Sequence, residues 1–128
     1  MEKNAPGLNA LARGTGFQKV VKAIENAGLP PLKALEVDTA FRVTLFAPRD
    51  FTSMTLDERV EATYQHAVMQ HLSSTALTNT TLRARFRLHD KNRNQITNLI
   101  GESGERGRLK RKDEGSGNKF AEYLPYWA

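Results

Sequence analysis

Apolar positions divide the chain into stretches of different period. Phe17, Val20, Val21 and Ile24 recur at helical spacing. Gly28 stands where a helix ends on a left-handed residue, and Pro30-Pro31 forbid its continuation. A short strand is predicted over Ala34 to Val37, followed by a turn at Asp38-Thr39. In "FRVTLF", Phe41, Val43 and Leu45 alternate with Arg42, Thr44 and Phe46, the period of a strand. "APRDFTSMT", Ala47 to Thr55, has no period and carries Pro48, so residues 48–54 read as a linker.

Beyond the linker the helical period returns. Thr55 with Glu58 three residues on forms a capping box. Val60, Tyr64, Ala67, Val68 and Leu72 make the buried stripe of the helix that follows, which ends in Ser73-Ser74-Thr75. Thr78 or Asn79 caps a short second helix with Leu82 and Phe86 on one side and Arg83, Arg85 and Arg87 on its other surfaces. After the turn "LHDKN", with Leu88 as a core anchor, a third helix starts near Arg93. Ile96, Leu99 and Ile100 point inward and Arg93, Asn94, Gln95, Thr97 and Asn98 outward. Gly107 suits the C′ position. "RLKRKD" reads as a strand, "EGSGN" as a hairpin tip and "FAEYL" as the returning strand. The predicted fold is α+β: a winged helix-turn-helix of three helices plus a β-hairpin wing over residues 55–128, preceded by a helix and two short strands in residues 1–47.

Composition changes the picture in one direction. The chain has 128 residues, a net charge of +5 and no cysteine, with a pI near 9.7 and a mean hydropathy of −0.55. The length suits one domain, or a small domain with an appendage. Without cysteine there is no disulfide framework and no thiolate metal site, which fits a reducing, cytoplasmic setting. No apolar run approaches the roughly 20 residues of a membrane span, and the N-terminus lacks a signal-peptide core. The basic balance points to an anionic partner, duplex DNA above all. Between Arg83 and Lys112 only Asp90, Glu102 and Glu105 oppose a long series of cations.

Arg pairs with guanine and Asn or Gln with adenine in the major groove. Arg93, Asn94, Gln95 and Asn98 are therefore candidate base readers on the third helix. Arg83, Arg85, Lys91, Lys110, Arg111, Lys112 and Lys119 are candidate phosphate contacts. Any solvated helix face is polar, however, and winged helices also serve as protein-docking or dimerisation modules. Both alternatives stay open on residue types alone.

Enzymatic chemistry finds no inventory. His66 and His71 lie about 140° apart around a helix and do not share a metal. The chain lacks a G-x-S-x-G elbow, a cysteine nucleophile and a G-x-x-x-x-G-K-[ST] loop. No catalytic residue, metal ligand or cofactor is expected. Tyr64, Phe86, Tyr123, Tyr126 and Trp127 read as core and tail packing.

Several separated blocks, "RGTG…AIENAGLP…FRVTLFAP", "ATYQHAVMQHLSSTALTNTTLRARF" and the terminal "YLPYWA", together resemble the C-terminal region of one bacterial and archaeal family. Its members are described as RecG-related ATP-dependent DNA helicases or as transcriptional regulators with an AlbA-type (Schlafen-like) domain. The resemblance covers roughly residues 13–128. It implies that residues 1–47 are the tail of an ATPase-like region and 55–128 a winged helix. It further implies that the partners include the rest of a parent chain, possible homo-oligomers formed through that parent, and DNA, with no membrane. Ala128 would be the natural end and the N-terminus a cut inside the ATPase-like region. Gly14 and Gly16 would be a remnant of a Gly-rich phosphate-approaching segment, better read as a flexible helix entry, so no nucleotide binding is expected of this chain. Gly104 and Arg108 depart from the resemblance, standing where large aliphatic residues are usual. With Gly101, at about 1 kcal/mol per helical glycine relative to Ala, they predict a frayed end to the third helix and loose packing against the wing.

Overall fold

The computed structural model describes residues 15–37, 40–113 and 121–128. The fold is mixed α+β. Helix α1 (Thr15–Ala27) leads into the antiparallel pair β1 (Lys33–Val37) and β2 (Ala40–Thr44), in register from Lys33 opposite Thr44 to Val37 opposite Ala40. Three further helices follow, α2 (Leu56–Leu72), α3 (Asn79–Arg85) and α4 (Arg93–Glu105), then strands β3 (Leu109–Arg111) and β4 (Tyr123–Pro125). Short 3₁₀ turns at Phe51–Ser53 and Asp90–Asn92 precede α2 and α4.

The predicted caps are in place. Thr55 Oγ1 accepts from Glu58 N at 3.1 Å, and Glu58 Oε1 accepts from Thr55 N at 2.9 Å. That backbone bond, supported by Arg49, holds the Glu58 carboxyl below its ordinary range against the opposing effect of burial. Thr78 caps α3 through a second box with Thr81. The four helices share one way of ending. Just past each helix an N–H reaches back five residues: Leu29 to Ile24, Thr75 to Gln70, Leu88 to Arg83 and Arg108 to Ser103, at 2.8 to 3.0 Å. Each such turn passes through a positive φ, at Gly28 (70°), Ser74 (63°), Arg87 (60°) and Gly107 (74°). Glycine makes that conformation free of Cβ strain at two of these ends.

α2 is the axis of the core. Val60, Ala62, Ala67 and the adjoining Leu77, Leu82, Ile96, Leu99 and Ile100 form one buried cluster. Tyr64 and Val68, on another side of the same helix, pack with Val21, Ile24 and Leu32 in a second. The segment read as a linker is built into the first cluster: Phe51 and Met54 are buried there, and the Phe51 ring lies 4.7 Å from that of Phe86. α1 is also tied on by polar groups. Glu25 Oε2 lies 2.9 Å from His66 Nδ1 and 3.4 Å from Arg85 Nε, and Gln65 Nε2 donates to Leu32 O at 2.8 Å.

The expected end strands are present but shorter, and the second is displaced toward the C-terminus. Leu109 pairs with Pro125 and Arg111 with Tyr123. Pro125 ends the strand, where its missing N–H is tolerated. The Lys112 N–H to Glu122 O bond at 2.9 Å extends the ladder by one rung toward the expected segment. The predicted tip, near 115–118, lies outside the described residues. The sequence does not announce one pairing: Leu77, between α2 and α3, exchanges bonds of 3.0 and 2.9 Å with Tyr123, an isolated antiparallel bridge beside the β3–β4 pair.

Candidate nucleic-acid interface

α4 presents two chemically distinct sides. Ile96, Leu99, Ile100 and Ser103 are buried, while Arg93, Asn94, Gln95, Thr97 and Asn98 are exposed, as their spacing predicts. The angle of α4 to α3 is set by Asn79, whose Nδ2 donates to Arg93 O at 3.1 Å and to Thr97 Oγ1 at 3.0 Å. Asn92 Nδ2 donates to Gln95 Oε1 at 3.2 Å, holding one candidate reader near the helix start. Lys91 is exposed in the turn before α4, and Lys110 and Lys112 are exposed on the hairpin side, Lys112 with Glu122 at 3.6 Å. Arg111 is half-buried in β3. Lys119 and Gly14 lie outside the described residues. Gly16 falls in the first turn of α1 rather than in a loop ahead of it.

Two expected phosphate contacts belong to the scaffold instead. Arg83 is buried; its Nε donates to Asn79 Oδ1 and its Nη1 to Asp90 Oδ1, both at 2.6 Å. It thereby clamps the corner between α3 and α4. Arg85 is buried against α1, donating from Nη2 to Leu29 O at 2.9 Å beside Glu25. Burial lowers its pKa, and the Glu25 carboxylate works against that shift. The physical reason is the shortness of α3. A helix of 7 residues wedged between neighbours leaves little surface for solvent, so Arg83 and Arg85 are enclosed by protein, while Arg87, past its end, stays exposed and donates from Nη2 to Asn26 O at 2.7 Å.

Other cations of the run are also engaged. Arg106 joins Asp57 at 2.8 Å and Glu102 at 2.9 Å, and Arg108 joins Glu61 at 2.7 Å with its guanidinium 4.1 Å from the Tyr64 ring centroid. The expected fraying of the third helix is not seen: α4 continues through Gly101 and Gly104 to Glu105. Arg108 packs as an aliphatic stem with a charged head, in the place that the resemblance would give to a large aliphatic residue.

His66 and His71 do not converge. His66 is buried against Glu25, and His71 meets the Trp127 ring edge-on at 5.5 Å. Among the described residues no group of three or more His, Cys, Asp or Glu side chains clusters as metal ligands, and no helix is long and apolar enough to cross a membrane.

The fold and this face define a small α+β protein whose polar helix side is flanked by exposed lysines. Compared with known proteins, the chain matches no family model, no curated protein and no solved structure. The family resemblance rests on the sequence blocks alone.

Proposed function

We propose that residues 55–128 form a winged helix-turn-helix module that binds duplex DNA, with α4 in the major groove and the β3–β4 hairpin as a wing against phosphate. The observation that carries this reading is the exposed row Arg93, Asn94, Gln95 and Asn98 on the side of α4 opposite its buried one, with Lys91, Lys110 and Lys112 around it. The chain order supports it. Helix, Leu77 rung, helix, helix, strand, strand, with Leu77 paired to the last strand, is the connectivity of a winged helix. In this reading the module serves a RecG-related helicase or AlbA-type transcriptional regulator of the bacterial cytoplasm, and carries no catalysis of its own.

Binding is weak and has little sequence preference, because a monomer offers one short reading helix and no second half-site. Non-specific dissociation constants of about 10⁻⁴ to 10⁻⁶ M are expected at physiological salt. Four accessible cations, Lys91, Arg93, Lys110 and Lys112, set a slope of log K against log salt of roughly −3 to −4, at about 0.9 per phosphate contact. NMR titration of the chain with a short duplex at low salt tests the reading. Shifts should concentrate on α4 and β3, and replacing Lys110 and Lys112 with Ala should flatten the slope by up to about 1.8. Absence of any shift at millimolar protein overturns it.

A second reading, a protein-docking or dimerisation module, draws on the other end of the molecule. Leu35, Val43 and Leu45 are exposed on and beside the β1–β2 pair, whose strands have no other partner among the described residues. A mass that rises with concentration, without DNA binding, favours this alternative.

A further inference from the structure

Beside the reading helix lies a cleft of about 640 Å³, walled by α4 on one side and β3 with the residues leading into β4 on the other. Gly101 and Gly104 bring backbone to its α4 wall, and a Cβ built on either meets no atom within 4 Å. Ile100, Leu109, Ala121 and Tyr123 give the cleft apolar walls, and Asn79 and Thr97, bonded to each other at 3.0 Å, line it on the α3 side. At the rim stand Arg93, Lys110 and Arg111, and no carboxylate lines the cleft among the described residues. Its volume lies within the range of about 300–1,000 Å³ typical of small-molecule sites. Apolar walls below a cationic rim fit a ligand with an apolar body and one anionic head. Duplex DNA fits poorly, because a phosphate backbone would leave the apolar walls unmatched.

We propose that this cleft binds a small amphipathic anion, an aromatic or aliphatic body of one or two rings bearing a carboxylate, sulfonate or phosphate. The body lies along Gly101, Gly104 and Tyr123, and the head pairs with Arg93 and Lys110. The assignment rests on the cleft and its charge and not on the DNA reading. If both hold, ligand and duplex compete for Arg93 and Lys110.

The test is a fluorescence titration of the folded chain without DNA, using 1-anilinonaphthalene-8-sulfonate, with binding mapped by amide chemical shifts. The uncharged relative N-phenyl-1-naphthylamine is titrated in parallel. Saturable binding with shifts on residues 97–111, at least tenfold weaker in Gly101→Val/Gly104→Val, is the expected result. That variant places side chains in open space, and far-UV circular dichroism checks its helix. Lys110→Ala, an exposed substitution that leaves the walls intact, should weaken the sulfonate severalfold and leave the neutral probe unchanged. Equal affinity in the filled variant, equal affinity of the two probes, or shifts confined to the β1–β2 pair each overturn the proposal.

Discussion

Replacing Glu25 with Ala removes the carboxylate that α1 sets against Arg85 and His66. The Arg85 side chain is 2% exposed and Glu25 15%. At their 3.4 Å separation the attraction is about 5 kcal/mol for an effective dielectric near 20. Desolvation of both groups offsets much of this in the intact protein, so the pair is no large net gain. The single substitution is different, because it strands a buried guanidinium whose remaining partners are the Leu29 carbonyl at 2.9 Å and the Phe86 ring at 5.4 Å. Breaking one side of a buried pair costs about 3–5 kcal/mol, a large part of the roughly 6–19 kcal/mol expected for a chain of this length. The loss corresponds to a fall in Tm of roughly 10–20 °C. Urea unfolding, followed by circular dichroism and by the fluorescence of Trp127, measures it without the screening that guanidinium brings. Glu25→Leu/Arg85→Met removes both charges and should recover most of the loss. A cost below about 1 kcal/mol for Glu25→Ala, or no recovery in the double variant, would refute the reasoning by showing that Arg85 reaches water or another anion.

Glycines of opposite conformation should respond in opposite directions: Gly101→Ala stabilises by about 0.5–1 kcal/mol because its helical Cβ meets open space, whereas Gly107→Ala, at φ +74°, destabilises by about 1–2 kcal/mol, both read by urea unfolding. Tyr64 is 1% exposed and accepts the Trp127 Nε1 proton at 2.8 Å, and burial raises its pKa to about 12. Between the ordinary tyrosine value near 10 and about 12 the native state holds a proton that the unfolded chain has released. Stability present below pH about 10 is therefore lost as pH rises through this window, by about 2–3 kcal/mol. Tyr64→Phe should show a shallower decline from pH 10 to 12, and an unchanged slope counts against the assignment. Thr55→Ala removes the box that starts α2 and should cost about 1 kcal/mol, with Glu58→Gln giving less than additive loss in the double variant because both belong to one cap.

Local signals were legible wherever one short-range interaction decides the outcome. The Thr55–Glu58 box, a cap at Thr78 or Asn79, the Gly28 and Gly107 stops and the 3.6-residue stripe of α4 were legible in residue types and spacing, and the structure has them, with Thr78 as the cap. Less legible was anything set by packing at long range. Residues 48–54 have the composition of a linker, but Phe51 is buried because α2 carries Arg59 over its ring at 4.0 Å and α3 supplies Phe86. The rest of the buried surface of α2 was written in the small residues Ala62 and Thr63, both fully buried, which a stripe of large apolar residues does not register. Leu77 pairs with Tyr123 across 46 positions, and no local pattern announces such a rung.

The same distinction divides the cationic run, in part by residue type. Of its arginines, Arg83, Arg85, Arg106 and Arg108 are each within ion-pair distance of a carboxylate, three of them with side chains 12% exposed or less. The lysines Lys91, Lys110 and Lys112 are all exposed, as are Arg87 and Arg93, and Lys112 lies 3.6 Å from Glu122. Guanidinium is planar, weakly hydrated and able to bridge several acceptors, so the fold can draw it inward; an ammonium is strongly hydrated and stays in water. Counting charges along the sequence therefore overstates the field that a polyanion meets. Arg83 and Asn79 fix the angle at which α4 is presented, Arg85 ties α3 to α1, and the lysines with Arg93 supply exposed charge around α4. An Arg→Lys exchange at 83 or 85 would keep the net charge yet lose the forked contacts to Asn79 and Asp90 or to Leu29 and Glu25. Exposed charge and the geometry of the polar side of α4 thus depend largely on different residues, and a substitution can change one while sparing the other.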